Sequence, residues 1–256
     1  MATLPSDIAQ TNHRPYPLPD SVWSGAMSWH DLLFMHYPVD ASFLRPLIPS
    51  ELEVDCFDGK AWVSVVPFRM SRVGPRYLNR VPYVSAFPEL NLRTYVSAGG
   101  RGGVWFFSLD AARLLAVVVA RALFRLPYFW ARMSCQERDG WIDFRSLRIH
   151  PGATPLEFVG RYRGVGEIEE TRPGTLDHWL TERYCLYSGK EGRVFRGEIH
   201  HLPWPIQKAE VELERDSVLA SIGLESTETP ILQFARRIDV VAWNVQPVGE
   251  SDGAPR

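Results

Sequence analysis

The sequence predicts a mainly antiparallel, barrel-like α+β domain. Three observations carry that reading. Strand-type runs outnumber helical ones, few helices alternate with strands in the way a doubly wound parallel sheet requires, and no linker, repeat or low-complexity tract divides the 256 residues. A barrel of this length commonly forms one domain.

The elements follow in order. The opening "MATLPSDIAQTNHRPYPLPD" is polar and proline-bearing without an apolar run, so residues 1–22 are expected to be a flexible arm rather than a signal peptide. A single domain is expected over 23–247, and a flexible tail over 248–256. "WHDLLFMHYPV" reads as a strand, and "DASFLRPLIP" as a short helix with Asp40 as N-cap and Pro49 as stop. In "LEVDCFDGKAWVSVVPFRM", Asp58-Gly59 signals a hairpin between two β-rich runs, and "SRVGPRYLNRVPYVSA" then reads as a turn-rich loop. "FPELNLRTYV" and "RGGVWFFSLD" read as strands on either side of a "SAGG" turn. A core helix from about Ala111 to Leu126 is expected to carry the chain across the fold. Strands follow at "WARMSCQ", "GWIDFRSLRI", "LEFVGRYRGV" and "ERYCLYS", with a short helix near "TLDHWLTERY". The last third, "GRVFRGEIHHLPWPIQKAEVELE" and "ILQFARRIDVVAWNVQPV", again favours strands.

Composition removes several function classes. With 28 basic and 30 acidic residues the net charge is -2, which leaves no footprint for nucleic acid or an anionic membrane. "AARLLAVVVARALF" is interrupted by Arg113 and Arg121 and falls short of the roughly 20 apolar residues a membrane helix needs. Cys56, Cys135 and Cys185 are isolated, so neither a disulfide framework nor a thiolate metal site is indicated, and a reducing, cytoplasmic setting is expected. No HxH or HExxH spacing, Walker loop or GxSxG elbow occurs, so no metal or cofactor is expected. The basic residues include only three lysines, Lys60, Lys190 and Lys208, which limits lysine chemistry.

The informative stretch is "FPELNLRTYV". In a strand, alternate residues take opposite faces, so Glu89, Asn91, Arg93 and Tyr95 share one side, against Leu90, Leu92, Thr94 and Val96 on the other. Such a polar row is either a solvated edge or the wall of a cavity, because unpartnered charges are not packed into a closed centre. Glu89 and Arg93 stand too far apart to pair intimately, yet they could bracket a small ligand. In "FRLPYFWARM", an extended backbone puts Tyr128, Trp130 and Arg132 on one face, either as a packed corner or beside that cavity. His30 and the pair His200-His201 are the histidines expected in or near structure, and "HLPWP" reads as a rigid bend closing an apolar opening around Trp204.

The order "WHDLLFMHYPVDASFLRPLIPSELEVDCFDGKAWVSVVPFRM", "FPELNLRTYV", "GVWFFSLDA", "LPYFWARM" and "HLPWPIQKAE" resembles the YqjF-like family, a domain-of-unknown-function group, from about Trp23 to Pro247. That family is similar in turn to the acetoacetate decarboxylase-like superfamily. The resemblance implies a cone-shaped β-barrel with a central crossing helix, short peripheral helices and a lumenal pocket. Decarboxylases of that superfamily form a Schiff base through a lysine. The resemblance sets that lysine and its lysine neighbour against Tyr128 and Phe129, neither of which can form an imine.

Two function classes follow. In the first, an enzyme acts on an oxo acid as a lyase or isomerase without a Schiff base, with Glu89 and Tyr128 as catalytic groups and His30, Asn91, Arg93, Tyr95 and Arg132 as ligand contacts. In the second, the same pocket serves a non-catalytic binding or sensing module. In both, the partner is a small molecule, and barrel edges with exposed aromatics make a homo-oligomer an expectation. A structural barrel with a filled lumen is the third alternative.

Overall fold

The structure is a computed structural model that describes residues 4–76, 86–190 and 192–249. The strands are β1 (Gly25–Val39), β2 (Glu53–Val54), β3 (Ala61–Pro75), β4 (Phe87–Ala98), β5 (Arg101–Ala111), β6 (Tyr128–Arg138) and β7 (Trp141–Arg148). They continue as β8 (Glu157–Glu170), β9 (Cys185–Lys190), β10 (Arg193–His200), β11 (Pro205–Asp216), β12 (Ile231–Ala242) and β13 (Gln246–Pro247). The helices are α1 (Ala41–Leu44), α2 (Leu114–Leu123) and α3 (Leu176–Thr181).

The thirteen strands of the described residues belong to one sheet, in the order β13-β10-β9-β5-β6-β7-β8-β11-β12-β1-β3-β4-β2. A further pairing of β4 with β5 joins that order into a circuit of nine strands, β4-β5-β6-β7-β8-β11-β12-β1-β3, and β10 also pairs with β12. Joining strands in this way satisfies ladder groups that an open edge would expose. The ladders are antiparallel except β5–β6 and β5–β9. The parallel β5–β6 pair explains α2, since parallel neighbours need a crossover and α2 supplies it.

The hairpin at Asp58-Gly59 forms as expected. Both residues have positive φ, 48° and 78°, which matches the twist of the flanking strands, and Phe57 bridges Lys60. Gly99 and Gly100 (φ 57° and 75°) turn β4 into β5. Thr175 caps α3 by accepting from the His178 amide, whereas Asp40 makes no side-chain cap at α1.

Strand alternation builds two apolar clusters. From β4, Leu90, Leu92 and Val96 enter one, with Leu33, Val65, Phe144 and Phe158, while Phe87 and Tyr95 enter the other, with Phe34, Phe68 and Trp204. β1 changes phase partway. Met27 and Trp29 pack on the second cluster, but beyond Asp31 the residues on that side are Leu32 and Phe34. Asp31 has φ 54° and sits where the β1–β3 register breaks, so it acts as a bulge that turns the following residues over. Its carboxylate is held by Arg69 at 2.7 Å and Arg236 at 2.9 Å.

Three expectations need correction. The helical segment is not a core helix: Leu114, Leu115 and Val118 are 48, 59 and 55 % exposed, and Val117 turns inward. Residues 4–22 are not a free arm, because Ile8 and Trp23 are buried with Val241 and Trp243, and Arg14 donates to the Ile199 carbonyl at 2.7 Å. The expected loop after β3 is strand as far as Pro75, and residues 77–85 lie outside the described residues, as does 250–256 of the expected tail. No helix among the described residues is long and apolar enough to cross a membrane.

Candidate functional site

Glu89, Asn91 and Arg93 line a cavity of about 470 Å³, together with Tyr128 from β6, Trp29, Leu32 and Phe34 from β1, Phe68 and Met70 from β3, and Trp204. The strand pairings explain why the row is not a solvated edge: β4 is flanked by β3 and β5 along this stretch. All three polar residues are buried, at 2, 7 and 9 % exposure.

At one end, the Tyr128 hydroxyl donates to Glu89 Oε2 at 3.0 Å. Burial raises the Glu89 pKa to about 8, against weaker lowering by hydrogen bonds from Tyr128 and Asn91, while Asp110 adds to the rise. Arg93 is not among the groups acting on Glu89. The four-residue separation along the strand, about 13 Å, keeps that cation at the far end. Glu89 therefore holds its proton at neutral pH and can donate a hydrogen bond. Burial, and then the Glu89 charge, push the Tyr128 hydroxyl well above its ordinary range, so it too remains a donor.

Arg93 is at the other end with its guanidinium 5.5 Å above the Phe34 ring. It forms no ion pair among the described residues, and its Nε has no partner. Burial lowers its pKa, Tyr95 opposes that, and Arg183 adds to it. Arg183 differs in being tied down: it donates to Asp55 Oδ2 at 2.6 Å and to the Trp179 carbonyl at 2.7 Å. Glu198, also on the cavity wall, is within 3.4 Å of Arg14 and Arg196 and 2.8 Å of Arg101. With Glu89 protonated and the other ions engaged, Arg93 is the cation in the cavity left without a counter-ion among the described residues. Asn91 Oδ1, Arg183 Nη2 and the indole nitrogens of Trp29 and Trp204 also lack partners there.

Tyr95 belongs to the same face but lies beneath the cavity. Its hydroxyl is 2.8 Å from Ser64 Oγ and 3.1 Å from His36 Nδ1. His36 Nε2 meets Gln233 Oε1 at 3.1 Å, and Gln233 donates to Asp177 at 2.7 Å. Burial, reinforced by Arg93, lowers the His36 pKa to about 3, so the ring is neutral. The sequence pointed to neither this network nor Arg183. The alternation in "FMHYPV" puts His36 on the side of Phe34, a usable signal only once the strand's phase is known.

Two expected ligand contacts are elsewhere. His30 points away from the cavity, with Nε2 2.7 Å from Ser71 Oγ, because the bulge at Asp31 puts Trp29 inward in its place. Arg132 is exposed in a separate surface recess with Arg113, Trp130 and Met133. β6 pairs with β5 only over Tyr128–Trp130 and then continues with β7, so its face leaves the cavity before Arg132. Arg93 and Arg132 thus line different pockets. His200 and His201 are both buried, and His201 lines the cavity with Nδ1 2.7 Å from the Leu202 carbonyl; Trp204 lines it too, stacked on Trp29 with centroids 6.0 Å apart. Among the described residues no group of His, Cys, Asp or Glu is arranged to hold a metal. Lys60 and Lys208 are exposed and off the cavity.

Comparison with known structures identifies the fold. The enduracididine biosynthesis enzyme MppR, solved with pyruvate, superposes with a TM-score of 0.63 at 10% identity over 93% of this chain and 94% of that one. Acetoacetate decarboxylase from Legionella pneumophila gives 0.57 at 12% identity over 94% and 95%. An acetoacetate decarboxylase-like enzyme from Sphingomonas wittichii RW1 gives 0.55 at 15% over 93% and 98%. The fold is acetoacetate decarboxylase-like, with Tyr128 and Glu89 in its interior. In sequence, the uncharacterised protein YqjF of Bacillus subtilis (strain 168) is 42% identical over 227 residues, 88% of this chain and 93% of that protein. Residues 26–239 match the family of uncharacterised conserved proteins termed DUF2071, and to that family this chain belongs.

Proposed function

We propose that the nine-strand circuit is a barrel whose lumen binds a small carboxylic or oxo acid. Arg93 takes the carboxylate, and Glu89, whose Oε2 accepts from the Tyr128 hydroxyl, presents its own O–H to a carbonyl or hydroxyl oxygen. The observation that carries this is Arg93: a guanidinium 9 % exposed, facing a cavity, with an unpartnered Nε and no carboxylate beside it. A buried charge without a partner costs several kcal/mol, and a ligand carboxylate forming charge-assisted hydrogen bonds would offset it. That MppR was solved with pyruvate supports an oxo acid as the chemical class.

As an enzyme, the protein acts by noncovalent acid catalysis in a lyase or isomerase step. In a lyase step on a β-oxo acid, the C–C bond to the carboxylate breaks, CO2 leaves, and the electron pair moves onto the carbonyl oxygen, which takes the Glu89 proton to give the enol; the Tyr128 hydrogen bond stabilises the Glu89 carboxylate left behind. One observation favours the binding-module reading instead: among the described residues no free base faces the bound acid at neutral pH, since Glu89 is protonated, Glu198 is held by three arginines and both ring nitrogens of His201 meet backbone carbonyls. A thermal-shift screen of wild type and Arg93→Ala against oxo acids, hydroxy acids and neutral carbonyl compounds, with mass spectrometry of each stabilising mixture, tests both. Binding stabilises by mass action. A hit lost in Arg93→Ala supports the site, and a time-dependent mass change makes the protein an enzyme. Hits unaffected by the substitution would remove the site assignment.

A further inference from the structure

We infer that the acid this site is built for is a medium-chain monocarboxylate with an apolar tail of roughly eight to twelve carbons, not a three-carbon acid. The inference rests on the proposed role of Arg93 and adds to it the size and shape of the tail attached to the carboxylate.

Volume is the first argument. At about 30 Å³ per water in the liquid, a cavity of about 470 Å³ has room for roughly fifteen water-sized groups. Pyruvate seated on Arg93 would leave most of the wall uncovered.

The second is the arrangement of that wall. Rings lead away from Arg93 in sequence: the guanidinium is 5.5 Å from the Phe34 centroid, Phe34 meets Trp204 edge-on at 5.1 Å, Trp204 stacks on Trp29 at 6.0 Å, and Trp29 meets Phe68 at 5.9 Å. Met27 and Met70 line the same cavity and adapt to irregular apolar shapes. Along the strand the Arg93 and Glu89 backbone positions are about 13 Å apart, so a longer acid held at Arg93 lies along the wall toward the Tyr128 end.

The third is charge. Arg183 is engaged by Asp55 at 2.6 Å, which leaves Arg93 to receive one carboxylate rather than a dianion. Leu115, on the cavity wall yet 59 % exposed, gives an apolar tail a route in from solvent.

The test is titration calorimetry of the full chain with linear saturated acids from butanoate to dodecanoate, each below its micelle-forming concentration, in wild type and Arg93→Met. Affinity should rise about fourfold per methylene, the value of burying one CH₂, until the cavity is filled, and then level or fall. Arg93→Met should weaken every acid by more than about tenfold, as expected when a charged hydrogen bond is lost. Met70→Trp, which fills part of the cavity, should shorten the preferred chain; circular dichroism checks its fold, and the length series on wild type decides the matter if it fails. Arg93-dependent binding that does not improve with length would overturn this inference and leave the proposed function standing. Binding of no acid, or binding indifferent to Arg93, would overturn both.

Discussion

Arg93→Met should stabilise the protein while weakening carboxylate binding by more than about tenfold. The buried guanidinium carries a desolvation cost of several kcal/mol after relaxation. Against it stand a cation–π contact with Phe34 at 5.5 Å, about 1–2 kcal/mol when desolvated, and the interaction with Tyr95, about 1.5–2 kcal/mol for a hydrogen bond to a charged group. Methionine keeps the apolar stem against Phe34, and Tyr95 retains Ser64 and His36 as partners. The net gain is about 1–2 kcal/mol, which for a chain of this size raises Tm by about 2–8 °C. Differential scanning calorimetry of the ligand-free proteins measures it. A variant less stable than wild type would mean that the guanidinium has a stabilising partner within the fold, and Arg93 would then have no need of a ligand anion.

Glu89→Gln should flatten part of the pH dependence of stability. Burial raises this carboxyl from the ordinary 4.5 to about 8. Its contribution is therefore fully present below about pH 4.5 and is lost as pH rises through about 8. Urea denaturation at pH 5, 7 and 9 should show wild type losing on the order of a few kcal/mol relative to Glu89→Gln, and a constant difference would mean that Glu89 titrates normally. Tyr128→Phe removes a hydrogen bond that favours the carboxylate, so the infrared carboxylic-acid band should persist to higher pH than in wild type; no upward displacement would detach Tyr128 from Glu89. Gly103→Ala would put a Cβ 2.6 Å from Cys185 Sγ and 2.7 Å from the Cys185 carbonyl, forcing β5 from β9 at a cost of about 2 kcal/mol or more. An unchanged calorimetric Tm would show that those strands are looser than the structure has them. Borohydride added with an oxo acid should give no one-to-one adduct beyond the slow labelling of exposed amines, because no lysine among the described residues lines the cavity; a stoichiometric reduced adduct would restore imine chemistry.

The polar row was legible because a strand's alternation needs only its own residues. Leu90, Leu92 and Val96 mark one apolar face, which fixes the direction of Glu89, Asn91 and Arg93. His30 was misplaced because its orientation depends on the bulge at Asp31, and a non-glycine residue at φ 54° held by Arg69 and Arg236 leaves no local signal. Arg132 failed for a related reason: its strand changes partners partway along, from β5 to β7. The apolar sequence of α2 suggested burial, but a crossover between adjacent parallel strands keeps it outside, half covered. Residues 4–22 read as a free arm since their anchors, Ile8 and Arg14, meet groups more than 180 residues away. The same holds for the His36 network, which Ser64 and Gln233 complete from β3 and β12.

The proposed function and the preferred chain length both depend on Arg93 holding a ligand carboxylate inside the strand circuit. A crystal structure of the protein with decanoate decides that point. Density is expected for the carboxylate within hydrogen-bonding distance of the Arg93 guanidinium, with the chain lying along Phe34, Trp204 and Trp29. A carboxylate bound elsewhere, or a cavity that stays empty of ligand at saturating decanoate, would refute the role given to Arg93.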